Sequence, residues 1–214
     1  MKTINKKSLI TGMLLLSAFA LWTVAVCFVD VQSIGPEGSE VGFATLNGFV
    51  HNLVGVNMTL YAITDWLGLV PFGFVAGFGL LGLTQWICRK KLTKVDGSIL
   101  VLGVFYIVVM GAYLLFEVVE INYRPVLLAG VLETSYPSST TMLVLCVIPT
   151  AILHLRSRIP NRVLGWMVSV CLGLFMLFMV AGRVISGVHW CSDIIGGVLL
   201  SSGLVMLYTA FDKL

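Results

Sequence analysis

GRVISGVHWCSDIIGGVLLSSGLVMLYTAF, residues 182–211, holds two kinds of text. The first dozen residues gather an arginine, a histidine and an aspartate. The remaining stretch, Ile194–Phe211, carries no charged residue at all. An uncharged apolar run of that length is what a helix needs to cross a bilayer, roughly 17–25 residues.

The rest of the chain repeats this pattern. Five further runs have the same character: Ser8–Val29, Trp66–Cys88, Ile99–Phe116, Ser138–Leu155 and Val163–Ala181. None contains Asp, Glu, Lys or Arg, and His154, near the end of one, is their only histidine. Their apolar residues lie on all sides of a helix rather than on one stripe, as in a membrane span. The 214 residues are 58% hydrophobic and 11% charged, with a mean hydropathy of +1.02. A water-soluble domain needs far more charge to cover its surface. The expectation is an all-α, six-helix transmembrane bundle forming one integral-membrane domain over residues 1–214, a multi-pass protein of the cell membrane. Pro71 and Pro149 are expected to kink their helices within it. The first run is too long for a typical signal-peptide core, so it is read as a retained helix.

Basic residues orient the bundle. Lys2, Lys6 and Lys7 precede the first run, and Arg89, Lys90, Lys91 and Lys94 follow the second. Arg156, Arg158 and Arg162 separate the fourth from the fifth, and Lys213 follows the sixth. If the runs alternate in direction, these eleven of the thirteen basic residues share one side. The positive-inside rule makes that side cytoplasmic and puts both termini there. Arg124 and Arg183 alone fall on the outer side, where no orienting force calls for them. The outer connections are Asp30–Asp65, whose Phe43–Tyr61 part is apolar enough to lie along the interface, Glu117–Pro137, and Gly182–Asp193. Five cysteines without a CxxC pair indicate neither a disulfide framework nor a zinc site.

The outer residues suit an anion. A guanidinium grips phosphate bidentately. The stretch SYPSSTTM opens a helix at Pro137, Ser138, Ser139 and Thr140, offering unpaired N–H groups and hydroxyls. His189 and Asp193 are four apart and would share a face on a helical turn. A carboxylate on one ring nitrogen fixes the tautomer and frees the other for attack. Asp193 could also cap the last helix. His51, on a loop, and His154 read as structural, and Cys191 as a packing residue. Asn57-Met58-Thr59 is a glycosylation sequon on the outer side.

These residues resemble the type 2 phosphatidic acid phosphatases, integral-membrane lipid phosphatases with three ordered motifs. The third is Ser-Arg, five residues, His, three residues, Asp; here Gly182-Arg183, His189 and Asp193 match except at the serine. The first is Lys, six residues, Arg-Pro; Arg124-Pro125 match, and Glu117 stands in the lysine's place. The second is Pro-Ser-Gly-His; Pro137 and Ser138 match, and Ser139 and Thr140 replace Gly and His.

The resemblance implies a lipid phosphatase with its active site at the outer membrane face. It needs no metal and no cofactor, and it acts on a membrane lipid phosphate in the bilayer, with no nucleic-acid partner. His189 would attack phosphorus to form a phosphohistidine, Asp193 would orient it, and Arg124 and Arg183 would hold the phosphoryl oxygens. Ser138, Ser139, Thr140 and Pro125 would form the rest of the substrate site. Thr140 cannot serve as the family's general acid, a role worth about 10²–10⁴ in rate. That shifts the expected substrate from phosphatidic acid toward a lipid diphosphate such as undecaprenyl diphosphate. The alternative is a catalytically impaired pseudophosphatase that binds phosphorylated lipids. A channel or pump is disfavoured by the uncharged spans.

Overall fold

The computed structural model describes residues 4–212, so the expectations placed on Lys2 and Lys213 lie outside it. Eight helices follow one another: α1 Lys6–Phe28, α2 Ala44–Val54, α3 Met58–Leu67, α4 Val70–Arg89, α5 Gly97–Val118, α6 Ser139–Arg158, α7 Arg162–Ile185 and α8 Cys191–Phe211. Short 3₁₀ turns at Pro36–Gly38 and Leu92–Lys94 complete the order. Six segments are long and apolar enough to cross a membrane: α1, Met58–Arg89 (α3 with α4), α5, α6, α7 and α8. Among the described residues there are isolated β-bridges but no strand.

Polar caps set the helix starts where apolar residues cannot. Asn5, Asn57, Ser138 and Asn161 each accept a backbone N–H of the following turn, in α1, α3, α6 and α7. Asp30 reaches forward to do the same for α2, accepting Thr45 N at 2.7 Å.

α6 and α8 form the centre. In each, about half of the spanning window is buried (56% and 50%), against 6% for Met58–Arg89 and 11% for α7. α8 packs most extensively on α1, running antiparallel to it. Gly203 makes that approach possible: a Cβ there would lie 2.8 Å from Leu16 Cγ and 3.2 Å from its backbone N. Lipid offers helices no hydrophobic gain for pairing, so close contact through small residues supplies the attraction. Phe105, Tyr106, Met142, Cys146 and Tyr208 pack the interior among α5, α6 and α8. Buried hydroxyls there are paired, Tyr106 OH with Thr150 Oγ1 at 3.1 Å and Tyr208 OH with His154 Nε2 at 2.5 Å. His154 is structural, as its place in the sequence suggests.

Several expectations need correction. The 30–65 connection contains two helices, α2 and α3, and α3 packs against α7. His51 sits in α2, its ring 5.4 Å from that of Trp190. The helical run Met58–Arg89 is interrupted at Gly68–Leu69, in the turn before Pro71, which stands in the first turn of α4, where its missing N–H costs nothing. Pro149 is inside α6, which runs through it. The spans are not free of charge: Arg183 is in the last turn of α7 and Asp65 in the last turn of α3, because helical hydrogen bonding extends past the apolar runs that defined them.

Gly203→Val is expected to lower stability by about 1–3 kcal/mol, the usual cost of overpacking. Thermal unfolding in detergent micelles measures it. Gly77→Val is the control, because a Cβ at Gly77 meets nothing within 4 Å.

Candidate active site

Five residues join α7 to α8 in a short turn. Gly187 adopts φ +64°, and a Cβ there would sit 1.8 Å from Gly55 O, so only glycine fits. The turn docks on the α2–α3 junction, with Asn57 N donating to Ser186 O at 2.9 Å. His189, two residues on, is thereby set between three elements.

His189 is 5% exposed. Its Nε2 lies 3.0 Å from Arg124 Nη1, and its Nδ1 lies 3.7 Å from Asp193 Oδ2. Arginine can only donate, so Nε2 is the acceptor and the ring proton belongs on Nδ1, facing the carboxylate. That is the tautomer a nucleophile needs. Burial pushes the imidazole pKa down to about 4, helped by the charges of Arg124 and Arg183 and opposed by Asp193.

Asp193 is fully buried and is the third residue of α8 rather than its cap. Oδ2 accepts Trp190 N at 3.1 Å, and Oδ1 accepts Asn122 Nδ2 at 3.1 Å. Behind it, Ser192 N donates to Asn47 Oδ1 at 3.1 Å, and Trp190 Nε1 donates to Tyr123 O at 2.7 Å. His189 and Asp193 thus share a site without sharing a helical face, because the ring precedes the helix start.

Arg124 follows α5 in a connection held by bridges between Tyr123 and Thr134 and between Leu128 and Val131. Its Nε pairs with Glu133 Oε2 at 3.1 Å. Arg183, 2% exposed, sends Nη2 to Asp65 Oδ1 at 2.8 Å and to Thr140 Oγ1. Its guanidinium carbon is 5.0 Å from the centre of the Tyr61 ring, while Nε and Nη1 are buried without partners. Buried donors in that condition cost about 1–3 kcal/mol each, unless an anion takes them.

A cavity of about 410 Å³ opens on this group, lined by Tyr61, Asp65, Glu117, Arg124, Ser139 and His189 among others. The sequence-predicted residues therefore divide. His189, Arg124 and Ser139 line the cavity, and Asp193 and Arg183 stand behind it. Ser138 is buried as the α6 cap, its N donating to Asp193 O at 3.1 Å. Thr140 faces Arg183, and Pro125 is half-buried and does not line the cavity.

Sequence reasoning passed over Asp65, Asn122, Asn47 and Glu133. Asp65 had a signal, an acid alone amid apolar residues. The two asparagines had none.

A family model described as the PAP2 superfamily matches residues 115–213, from the end of α5 through α8. The fold of the chain is similar to the crystal structure of a transmembrane PAP2-type phosphatidylglycerolphosphate phosphatase from Bacillus subtilis. The two align with a TM-score of 0.55 at 20% identity, over 94% of this chain and 96% of the other. No curated protein matches significantly. All three motif-bearing segments lie within the matched residues. Asp65 and Asn47 lie outside them.

His189 is expected to titrate near pH 4 rather than 6.5, as histidine side-chain NMR of labelled protein would show. An imidazolium has no lone pair, so activity resting on His189 should fall as pH drops through about 4. Because the unfolded chain binds this proton already near 6.5, His189 also destabilises the fold as pH falls from 6.5 towards 4.

Proposed function

We propose that this chain is a membrane lipid phosphatase of the PAP2 superfamily working through a phosphohistidine on His189. The observation that carries the reading is the line Asp193–His189–Arg124: a buried carboxylate on the Nδ1 side, an arginine donor on the Nε2 side, and an anion-hungry Arg183 nearby.

The nucleophile is covered at rest, since Arg124 Nη1 occupies its lone pair. A bound phosphoryl group offers Arg124 stronger acceptors, and the guanidinium then holds an oxygen where it had held the ring. Nε2 attacks phosphorus and the bond to the leaving oxygen breaks. The ring becomes positive as it bonds to phosphorus, and Asp193 stabilises it through Nδ1–H. Arg183 Nε and Nη1, with the free N–H groups at the start of α6, supply donors where negative charge gathers.

Thr140 decides the leaving group. An alkoxide must be protonated as it departs, and a threonine hydroxyl does not release a proton near neutral pH. A phosphate monoester, with a second pKa near 6, can leave unprotonated. The site therefore favours a lipid diphosphate of the undecaprenyl diphosphate type over phosphatidic acid. We also infer that the site faces outward. Lys6, Lys7, Arg89, Lys90, Lys91, Lys94, Arg156, Arg158 and Arg162 all lie at the helix ends away from it. A membrane-impermeant thiol reagent on intact cells should then reach Cys191 from outside; reaction only from the cytoplasmic side would reverse the orientation.

Purified protein is expected to release phosphate from undecaprenyl diphosphate faster than from phosphatidic acid, with and without a chelator, and His189→Ala to abolish both. Thr140→His should accelerate monoester cleavage far more than diphosphate cleavage. The second reading, a pseudophosphatase, is favoured by the carboxylates already paired with both arginines. Saturable binding of lipid phosphates without turnover would select it.

A further inference from the structure

The second half of the reaction needs a base. Water must attack the phosphohistidine from the side opposite Nε2, losing a proton as the new P–O bond forms and the P–N bond breaks. Asp193 cannot take that proton. It lies on the Nδ1 side, is fully buried, and has both oxygens occupied.

The cavity wall holds three other carboxylates: Asp65, Glu117 and Glu133. Glu133 is tied to Arg124, the arginine that touches Nε2, so it stands on the side of the departing imidazole. Glu117 is exposed at the end of α5 and makes no hydrogen bond or ion pair among the described residues. Asp65 differs from both. Its Oδ1 is fixed at 2.8 Å by Arg183 Nη2, while its side chain stays 57% exposed.

The same guanidinium keeps Nε and Nη1 unpartnered. Asp65 and His189 line the same cavity, so water that enters it to reach a phosphoryl group on His189 meets the Asp65 carboxylate. Thr140 Oγ1, on the same Nη2, offers no basic alternative.

We infer that Asp65 is the general base that activates water to hydrolyse the phosphohistidine. The inference rests on the phosphohistidine reading above. Water oxygen bonds to phosphorus, its proton passes to the Asp65 carboxylate, and the P–Nε2 electron pair returns to the imidazole, which keeps its Nδ1 proton. Inorganic phosphate leaves and Asp65 releases the proton to solvent. No further reactant is needed. The division of labour is then lopsided: the site supplies a base for the second step and no acid for the first, which suits a leaving group that needs no proton.

Rapid-quench kinetics with undecaprenyl diphosphate labelled at the terminal phosphate test the idea. In Asp65→Asn, phosphorylation of His189 should proceed within roughly tenfold of the parent, while dephosphorylation slows about 10²–10³-fold, the scale of acid–base catalysis. An acid-labile, alkali-stable phosphoenzyme should then accumulate toward one label per chain. Asp65→Glu keeps the carboxylate and should hydrolyse the intermediate within roughly tenfold of the parent. Equal slowing of both half-reactions in Asp65→Asn would mean that Asp65 only positions Arg183, and would overturn the inference. So would accumulation in Glu133→Gln in place of Asp65→Asn, or loss of label in both Asp65 variants alike. A parent that turns over without forming a phosphoenzyme, or an active His189→Ala, would instead sink the phosphohistidine reading itself.

Discussion

A carboxylate removed from water must have its hydrogen bonds supplied by the protein, and Asp193 imposes that demand on the whole active end of the bundle. Its hydrogen bonds come from the Trp190 backbone at the entry to α8 and from Asn122 in the α5–α6 connection, and His189 in the turn before α8 stands 3.7 Å away, within ion-pair reach. Satisfying one buried charge therefore brings together segments far apart in the chain. Around it the satisfied groups continue outward, through Ser192 to Asn47 in α2 and through Trp190 to Tyr123. Such networks are rigid because every member would be costly to leave unpaired. A histidine resting on that frame has one orientation, and its free nitrogen points at Arg124.

The scaffold holds the site by other means. α6 and α8 occupy the centre, and the start of each faces the chemistry: Ser138 N bonds Asp193 O, so the two helix beginnings are joined directly. α1 lies along α8 through the glycine contact and adds Trp22 Nε1 to Ser192 O at 3.1 Å. Tyr136, beside the α6 start, bonds Thr23 of α1 at 2.7 Å. Helices that would have no hydrophobic reason to associate in lipid are thus pinned where the site needs them.

The charge around the cavity shows a second logic. Both arginines are met by carboxylates, Arg183 by Asp65 and Arg124 by Glu133, and Glu117 adds a third acid at the rim. Carboxylates in such number would weaken the hold of the cavity on an anionic ligand and ease its release. The pairs differ in exposure: Arg183 is almost wholly buried while Asp65 remains open to the cavity, so the arginine is fixed and the carboxylate accessible.

The sequence by itself determined the membrane spans, because their signal is local: a run of apolar residues long enough to cross a bilayer is complete without knowledge of its neighbours. It likewise exposed Arg183, His189 and Asp193, whose spacing lies within twelve residues, and Arg124, conspicuous as a basic residue away from the basic end. What it could not contain was contact across the chain. Asp65 meets Arg183 over 118 residues, Asn122 meets Asp193 over 71, and Asn47 meets Ser192 over 145. Asparagines and a lone aspartate acquire a role only when packing delivers them to a buried partner. The helix ends were misplaced for the same reason, since the buried Arg183 at the end of α7 finds its carboxylate on Asp65 at the end of α3. Local hydropathy decided which segments span; tertiary packing decided which polar groups meet, because burial makes each of them need a partner that no neighbour in sequence provides.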